Sequence, residues 1–376
     1  MLTLNSDNKI NLLSKWIKTV DLVNLFAISA LLFIGLLTVL AASPTVAESR
    51  SFDRFHFVLK HTFFLCPTLL MLIIISLFSS TGIKRISLLG FIITFILLVL
   101  VIFFGKEING AKRWIYIYGF SIQPSEFIKP FLVVVSAILF TKNTKEKLFF
   151  LGGESLSVLL ITLVMVLLIL QPDFGMMLSI FLVWSAQYFV AGLKLRWITL
   201  LMMIMTFIGI AGYSFFTHVR LRIDSFLSSG INGEQVNGAL KAYQSGGILG
   251  KGPGEGIVKN SIPDAHTDFI FPVIAEEYGL IACLSIVMLI ATIILRGFNQ
   301  TAKSSDIFAI VAAAGLLMQF GLQALINISV TVNIIPTTGM TLPFISYGGS
   351  SMLAMGLAMG MMLALTKRSY GGSVNL

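Results

Sequence analysis

The chain has 376 residues, of which 56% are hydrophobic and 11% are charged, and its formal net charge is +9. Soluble domains carry about 25% charged residues, so this composition, with a mean hydropathy of +0.93, excludes an ordinary water-soluble protein. The positive charge is not gathered into a basic patch interleaved with aromatic residues. It therefore indicates attraction to anionic lipid headgroups and argues against nucleic acid as a partner.

Apolar segments long enough to cross a membrane as helices, which takes about 20 residues, recur along the whole chain. We predict an all-α polytopic membrane protein with ten transmembrane helices, because backbone in contact with lipid must satisfy its own hydrogen bonds. The predicted spans are 22–42, 57–79, 87–104, 126–140, 156–171, 176–192, 198–216, 270–295, 308–327 and 346–366.

The distribution of lysine and arginine predicts the orientation of these spans. With the N-terminus inside, the cytoplasmic segments carry fourteen such residues and the short outer loops carry five. Both tails, 1–21 and 367–376, are then cytoplasmic and flank a single membrane domain, 22–366. Between helices 7 and 8 this domain has one long extracytoplasmic loop, 217–269, and loops of that length are usually functional.

The glycine-rich part of the long loop, GGILGKGPGEG from Gly246, invites comparison with a phosphate-binding loop. A nucleotide P-loop needs Ser or Thr after the GK pair and a preceding strand, and neither is present. Two interpretations remain. The glycine amides and Lys251 could cradle a lipid pyrophosphate, or the segment is a tight turn with a solvated lysine.

The same loop ends in PDAHTDF, where Asp264 and Asp268 flank His266 just before an apolar run. A carboxylate partly desolvated at the membrane surface has a raised pKa, which suits a general base near neutral pH. The alternative is that Asp264 or Thr267 caps the following helix. We expect His266 to orient or support its neighbours, since no second histidine stands at metal-ligand spacing.

Charged residues inside predicted spans are costly and usually face a polar cavity or a partner. Glu126 and Lys129 are three residues apart, lie on one helix face and could pair with each other. At least one of Glu276 and Glu277 is expected to line a cavity or to pair with a cation.

Two further polar motifs lie at the outer ends of predicted spans. Asp173 stands where Pro172 and Gly175 break a helix, either as a functional anion or as a residue that orders the loop. Ser346 lies in LPFISYGGSS, whose small residues favour close helix packing and whose hydroxyls could contact a ligand. Because the polar motifs converge on one side of the membrane, we predict a single extracytoplasmic site.

Taken together, these motifs resemble the SEDS family (shape, elongation, division and sporulation), most closely its cell-division members. The resemblance runs from about residue 21 to residue 367. It rests on NGAKRW at 109–114, QPSEF at 123–127, QPDFG at 171–175, GKG at 250–252, DAHTDF at 264–269, EEYG at 276–279 and LPFISYGGSS at 342–351.

The resemblance implies a peptidoglycan glycosyltransferase that polymerises lipid II on the outer face of the cytoplasmic (inner) membrane at the division septum. It also implies a ten-helix fold and, as partners, a class B penicillin-binding transpeptidase and other membrane proteins of the divisome. By motif match, Asp268 corresponds to the aspartate that is essential in the family.

Extending a glycan requires that a sugar 4-hydroxyl attack an anomeric carbon whose leaving group is a lipid pyrophosphate. We predict Asp268 as the base, with Lys112, Arg113 and Lys251 binding the pyrophosphate. A divalent cation (Mg or Mn) could share that role, but no ligand spacing predicts a metal site. The remaining predicted substrate-binding residues are Trp114, Gln123, Glu126, Asp173, Asp264, His266 and Ser346.

Three alternatives remain open at the level of sequence. An elongation-type paralogue would perform the same chemistry at a different place in the cell. A transporter that flips lipid II would suit the ten spans and the intramembrane charges, although the polar residues do not form a chain across the bilayer. A structural scaffold of the division machinery would leave the outer cluster of polar motifs unexplained.

Overall fold

The computed structural model describes residues 14–108, 111–117, 120–141, 152–192, 194, 196–227 and 234–367. Asn109 and Gly110 of the NGAKRW motif, and most of both predicted tails, lie outside these residues. The helices are α1 (Leu22–Ser49), α2 (His56–Leu77), α3 (Ser80–Phe104), α4 (Pro124–Thr141), α5 (Gly153–Leu170), α6 (Phe174–Val190), α7 (Arg196–Phe215), α8 (Thr217–Leu227), α9 (Glu234–Gly246), α10 (Ile270–Thr301), α11 (Ile307–Thr331) and α12 (Gly349–Leu365).

Each of the ten predicted spans overlaps one of these helices. Eight helices in the described part of the chain are long and apolar enough to cross a membrane, and the apolar helices α6 and α12 are shorter, with 17 residues each. The opening of the long loop, which has polar and apolar residues interleaved, is also helical and forms α8. The chain is therefore mainly helical and suited to a membrane, as its composition predicts.

The prediction of an all-α fold is wrong for the segment between α3 and α4. This segment forms a three-stranded antiparallel sheet of β1 (Lys106–Ile108), β2 (Ala111–Ile117) and β3 (Phe120–Ile122). The β2 sequence AKRWIYI is rich in aromatic and β-branched side chains, which favour strands. Lys106 pairs with Trp114 and Glu107 pairs with Lys112, so the register shifts and Arg113 is the extra residue of β2 at this irregularity.

Helix α10 is interrupted at Gly279, whose φ of 76° and ψ of −175° are not helical. The part that follows, residues 280–301, is about 33 Å long at 1.5 Å per residue, which is enough to span the hydrocarbon core without the first part. The first part, residues 270–278, is almost entirely buried in the protein. The interruption therefore separates a helix long enough to be a span from a short buried segment that carries Glu276 and Glu277.

The centre of the bundle is α12, which is buried along nearly its whole length. It packs closely on α2 because it presents glycines there: a Cβ on Gly356 would lie 2.7 Å from Thr68 Cγ2, and one on Gly360 would lie 2.9 Å from the Leu72 carbonyl oxygen. Small residues at helix contacts are typical of membrane proteins. Elsewhere, Arg296 near the end of α10 pairs with Asp21, the residue that caps α1, at 2.8 Å.

Candidate active site

Asp268 lies in the turn before α10, and a neighbouring helix fixes its main chain. The side chain of Asn327 in α11 donates from Nδ2 to the Asp268 carbonyl at 2.8 Å and to the Met340 carbonyl at 2.7 Å. The Thr267 hydroxyl donates to Asp268 Oδ1 at 2.9 Å. Because the carboxylate is only partly buried, the turn presents it on a fixed backbone with one side accessible.

Asp264 begins the same turn and pairs with a cation that the sequence analysis did not single out. Its carboxylate forms an ion pair with Arg50, just after α1, and both side chains are well exposed. Its carbonyl accepts a hydrogen bond from the amide of Thr267 at 2.9 Å. The N-cap of α10 is Phe269, without a side-chain hydrogen bond, so the alternative that Asp264 or Thr267 caps this helix is wrong.

His266 supports the turn from inside. Its ring lies between those of Phe57 and Tyr347, with centroid distances of 4.5 and 5.3 Å, and its carbonyl accepts a hydrogen bond from the Tyr347 amide at 2.8 Å. Burial lowers the pKa of His266 to about 4, while Asp264 raises it and Arg50 lowers it by smaller amounts. The imidazole is therefore neutral at pH 7, as a packed supporting group would be.

The glycine loop, residues Gly246–Gly252, binds to α10 where that helix is interrupted. The amides of Lys251 and Gly252 donate to the carbonyls of Glu276 and Glu277, both at 2.9 Å, and the amides of Leu280 and Ile281 donate back to loop carbonyls. A Cβ on Gly250 would lie 2.2 Å from the Glu277 carbonyl oxygen, so only glycine fits there. These loop amides are consumed by the protein and are not free to cradle a phosphate. The Lys251 side chain is exposed and stays a predicted anion contact.

Glu276 and Glu277 are buried, and both bind the chain that flanks the glycine loop. Glu276 accepts hydrogen bonds from the main-chain amides of Ile257, Val258 and Lys259 at 2.8–2.9 Å, and from the Ser245 hydroxyl at 3.2 Å. Glu277 pairs with the ammonium group of Lys259, which is itself buried. The prediction that one of the two glutamates pairs with a cation is confirmed, and the cation is Lys259.

Arg113 of β2 reaches the break between α5 and α6. It donates to the carbonyls of Gln171 and Pro172 and lies 3.4 Å from Asp173, which caps α6. Burial raises the pKa of the Asp173 carboxyl, and the Arg113 charge opposes this shift. The Gln123 side chain donates to the other carboxylate oxygen of Asp173 at 3.5 Å, so three predicted site residues form one cluster.

A second cluster lies deeper, on α4. Glu126 and Lys129 form an ion pair at 2.8 Å with both side chains buried, which confirms the predicted pairing. Lys129 also donates to Gln323 Oε1 at 2.8 Å. A buried pair of this kind is usually retained for more than stability, because the cost of desolvating two charges is large.

The segment Met340–Ser351 connects these clusters, a role that the sequence analysis did not predict. Its Met340 and Tyr347 contact the turn of Asp268 through Asn327 and His266, as described above. Further along, the Ser350 hydroxyl accepts a hydrogen bond from the Gln123 amide at 3.1 Å, and that of Ser351 accepts one from the Gln323 side chain at 3.2 Å. Ser346 is buried and accepts from the Leu342 amide at 2.9 Å, so its hydroxyl orders the segment itself.

The other two predicted contacts lie on the sheet. Lys112 is exposed and Trp114 is half-buried, both on β2. Within the described residues no group of three or more His, Cys, Asp or Glu side chains could hold a metal ion. A divalent cation therefore finds no preformed set of protein ligands there, and the chemistry available rests on a partly accessible carboxylate and several cations.

The comparisons with known proteins agree with each other. The family model FTSW_RODA_SPOVE, described as "Cell cycle protein", matches residues 22–371. A Caulobacter vibrioides protein named probable peptidoglycan glycosyltransferase FtsW is 41% identical over 370 residues, which cover 96% of this chain and 93% of the relative. Relatives with the same name from Coxiella burnetii and Bacillus subtilis are 35% and 30% identical, over 89% and 93% of this chain and 93% and 91% of their own lengths.

Solved structures share the fold. A chain from a structure named "Structural coordination of polymerization and crosslinking by a peptidoglycan synthase complex" has a TM-score of 0.74 and 24% identity, and the match covers 92% of this chain and 97% of that one. A mutant form of the Thermus thermophilus rod shape determining protein RodA has a TM-score of 0.69 and 23% identity, with the same coverage.

Proposed function

The chain belongs to the FtsW/RodA/SpoVE family of cell cycle proteins, and on this premise we propose that it is a peptidoglycan glycosyltransferase. It polymerises lipid II into glycan strands on the outer face of the cytoplasmic membrane during septal wall synthesis. The observation that carries the proposal is Asp268, a carboxylate that stays partly accessible while Asn327 and Thr267 fix its position. The names of the relatives supply the reaction class.

The proposal includes the topology predicted from lysine and arginine. Ten helices cross the membrane, both termini are cytoplasmic, and the turn of Asp268, the sheet and the segment Met340–Ser351 face outward. The Asp21–Arg296 pair then marks the cytoplasmic side. This arrangement is supported by the contacts that join the polar motifs in one region, which an enzyme acting on one face of the membrane requires.

In the proposed reaction, the Asp268 carboxylate removes the proton from the sugar 4-hydroxyl as this oxygen attacks the anomeric carbon. The bond to the lipid pyrophosphate breaks in the same step, and a single displacement inverts the anomeric configuration. The pyrophosphate is already a stable anion, so it needs neutralisation more than a proton. For this reason one base is enough, whereas glycosidases need a pair of carboxylates.

The cations available for the pyrophosphate are of two kinds. Lys112 and Lys251 are exposed, so their charges are available to an incoming anion. Arg113 is largely committed, because it binds Asp173 and two carbonyls. We therefore assign direct neutralisation to the two lysines. Arg113 orders the break between α5 and α6.

The test is polymerisation of labelled lipid II by the purified protein, alone and with a class B penicillin-binding transpeptidase. Asp268→Asn keeps the shape and removes the base, so we expect the rate to fall by about 10²–10⁴-fold. Asp264→Asn is the matched control, since it changes the same turn and an equivalent carboxylate. Normal polymerisation by Asp268→Asn would contradict the proposal. A loss of equal size in both variants would contradict the assignment of the base.

The septal role and the transpeptidase partner form a separate part of the proposal. The relatives named FtsW favour the division role over an elongation-type paralogue. A structural neighbour from a complex named for polymerisation and crosslinking is consistent with a crosslinking partner. A fluorescent fusion that follows the lateral wall and is absent from the septum would indicate the elongation role.

A lipid II transporter is the second candidate, and the buried Glu126–Lys129 pair favours it, because charges inside spans often mark transport pathways. The two functions separate in proteoliposomes that contain lipid II. Transfer of lipid II between leaflets without polymer would support the transporter. Polymer that depends on Asp268 would support the enzyme.

A further inference from the structure

The glycine loop exposes large apolar side chains although it belongs to the hydrophilic segment of the chain. Ile248 and Leu249 are 66% and 78% exposed. Leu280 and Ile281, just after the interruption of α10, are also exposed, and their amides donate to the carbonyls of Gly247 and Ile248 at 3.0 and 3.4 Å. The loop and the outward surface of α10 therefore form one continuous apolar strip.

The depth of this strip follows from α10 itself. Arg296, paired with Asp21, marks the inner end of the helix. Ile281 and Leu280 lie 15 and 16 residues from Arg296 along an uninterrupted helix, which is about 22–24 Å at 1.5 Å per residue. The hydrocarbon core of a bilayer is about 30 Å thick. Both residues, and the loop residues bonded to them, thus lie inside the outer hydrocarbon boundary.

Helix α1 gives an independent measure from the same ion pair. Ala41 lies 20 residues from Asp21, about 30 Å along the helix. Its carbonyl accepts a hydrogen bond at 3.0 Å from Lys259, which also pairs with Glu277 on the far side of the interruption of α10. Helix α1 thus places Lys259 at the outer boundary, and Leu280 and Ile281, about 22–24 Å from Arg296, lie about one turn deeper.

Hydrogen bonds within the protein lower the cost of placing the glycine loop at this depth. Irregular backbone is tolerated in the hydrocarbon region where its polar groups are bonded within the protein. The amides of Gly250, Lys251 and Gly252 and the carbonyls of Gly246, Gly247 and Ile248 are paired, with α10 or within the loop.

We propose that the glycine loop inserts Ile248 and Leu249 into the outer leaflet of the bilayer beside α10. Lys251, two residues further and exposed, then stands at the level of lipid phosphates, with the exposed Glu255 above it on the side of the water. The insertion goes beyond the proposed reaction and does not depend on it. The consequence is that two contacts, the inserted glycine loop and the Lys259 ion pair, fix the position of the segment before Asp268 relative to the bilayer surface.

The test uses spin labels on the full-length protein in vesicles of phosphatidylethanolamine and phosphatidylglycerol. Leu249→Cys is labelled in a background of Cys66→Ala and Cys283→Ala, with Asn260→Cys, exposed in the same segment, as the matched control. We expect the label at 249 to collide with dissolved oxygen and to lose its collisions with a water-soluble nickel chelate. The label at 260 should behave in the opposite way.

Equal access of the nickel chelate to both labels would overturn the proposal and leave the strip as a surface for another protein. A label at 249 that is shielded from both reagents would overturn it as well, because it would indicate contact between copies of the chain. Ile248→Cys repeats the measurement if Leu249→Cys fails to fold. Agreement between the two labels would exclude a local effect of either substitution.

Discussion

Two acidic pairs lie close together in the chain, and their surroundings are opposite. Asp264 and Asp268 belong to a turn whose carboxylates stay partly exposed, with one exposed ion pair and one hydroxyl as their contacts given above. Glu276, eight residues after Asp268, and its neighbour Glu277 are buried, and they accept four hydrogen bonds and one ammonium group respectively. The first pair is presented to a ligand and the second anchors the loop.

The difference shows that the donors around a carboxylate decide its role more than the motif in which it stands. A carboxylate surrounded by donors is fixed and has no capacity left for a reaction. One that stays partly accessible on a fixed backbone can take a proton. We call Glu276, Glu277 and Lys259 the anchor, and Asp264–Asp268 the presented turn. If the donors decide the role, substitutions in the anchor should change stability far more than substitutions in the presented turn.

The largest effect is expected at the anchor. Lys259→Met leaves Glu277 as a buried, uncompensated charge, and breaking such a pair typically costs about 3–5 kcal/mol. Thermal unfolding in detergent should therefore shift far downward. Lys251→Met, an exposed lysine of the same segment, is the control and should change stability by less than about 0.5 kcal/mol. Equal shifts would mean that Lys259 is not an anchor.

The next largest effect is a pH dependence of stability that arises from His266, whose ring packs beneath the presented turn. His266 has a folded-state pKa of about 4, below its ordinary value of 6.5, so the unfolded chain binds more protons between these values. The contribution of neutral His266 to the free energy of unfolding is fully present above pH 6.5. It is lost as the pH falls towards 4, and the loss amounts to about 3 kcal/mol at most. His266→Phe, which keeps an aromatic ring between Phe57 and Tyr347, should flatten this part of the curve of melting temperature against pH. An unchanged slope would contradict the assignment.

A smaller effect is expected where the anchor meets the glycine loop. Gly279→Ala forces a positive φ on alanine and brings its Cβ to 2.3 Å from the Ile248 carbonyl oxygen. Backbone strain of this kind costs about 1–3 kcal/mol. Gly209→Ala in α7, where nothing lies within 4 Å, is the control and should be neutral or slightly stabilising. Proteolysis of the loop should increase only in the first variant.

The smallest effect is expected in the presented turn. Asp264→Asn removes an exposed ion pair with Arg50, and such pairs contribute about 0–1 kcal/mol. The difference from the unmodified chain should vanish near 1 M salt, where charges are screened beyond about 3 Å. A large loss of stability that salt does not affect would place Asp264 with the anchor and remove the contrast between the two pairs.

The helices could be predicted from the sequence, because the hydropathy of a span reflects the membrane directly. The sheet could also have been predicted, since Asn-Gly is the most favoured hairpin dipeptide and here precedes a run rich in aromatic and β-branched residues, WIYI. The prediction of an all-α fold overlooks this signal.

Other features depend on contacts that no local pattern carries. Lys259 in VKNS resembles a solvated lysine, and only the fold brings it to Glu277 and Ala41. Asn327 is one of several buried polar residues in α11, a pattern that indicates buried partners without identifying them. The glycine loop stays open between a pyrophosphate cradle and a tight turn in the sequence, because amides that bind carbonyls of a broken helix require the same glycine-rich geometry.

The interruption at Gly279 also has a consequence for how the protein is made. Gly247 leaves the ribosome 33 residues before Leu280, its partner, which at about 5–20 residues per second is a delay of roughly 2–7 s. Until the second part of α10 has been made, the carbonyls of Gly247 and Ile248 lack the amides that they bind in the folded protein. The glycine loop therefore reaches its final structure in a fixed order, after the helix that follows it in the chain.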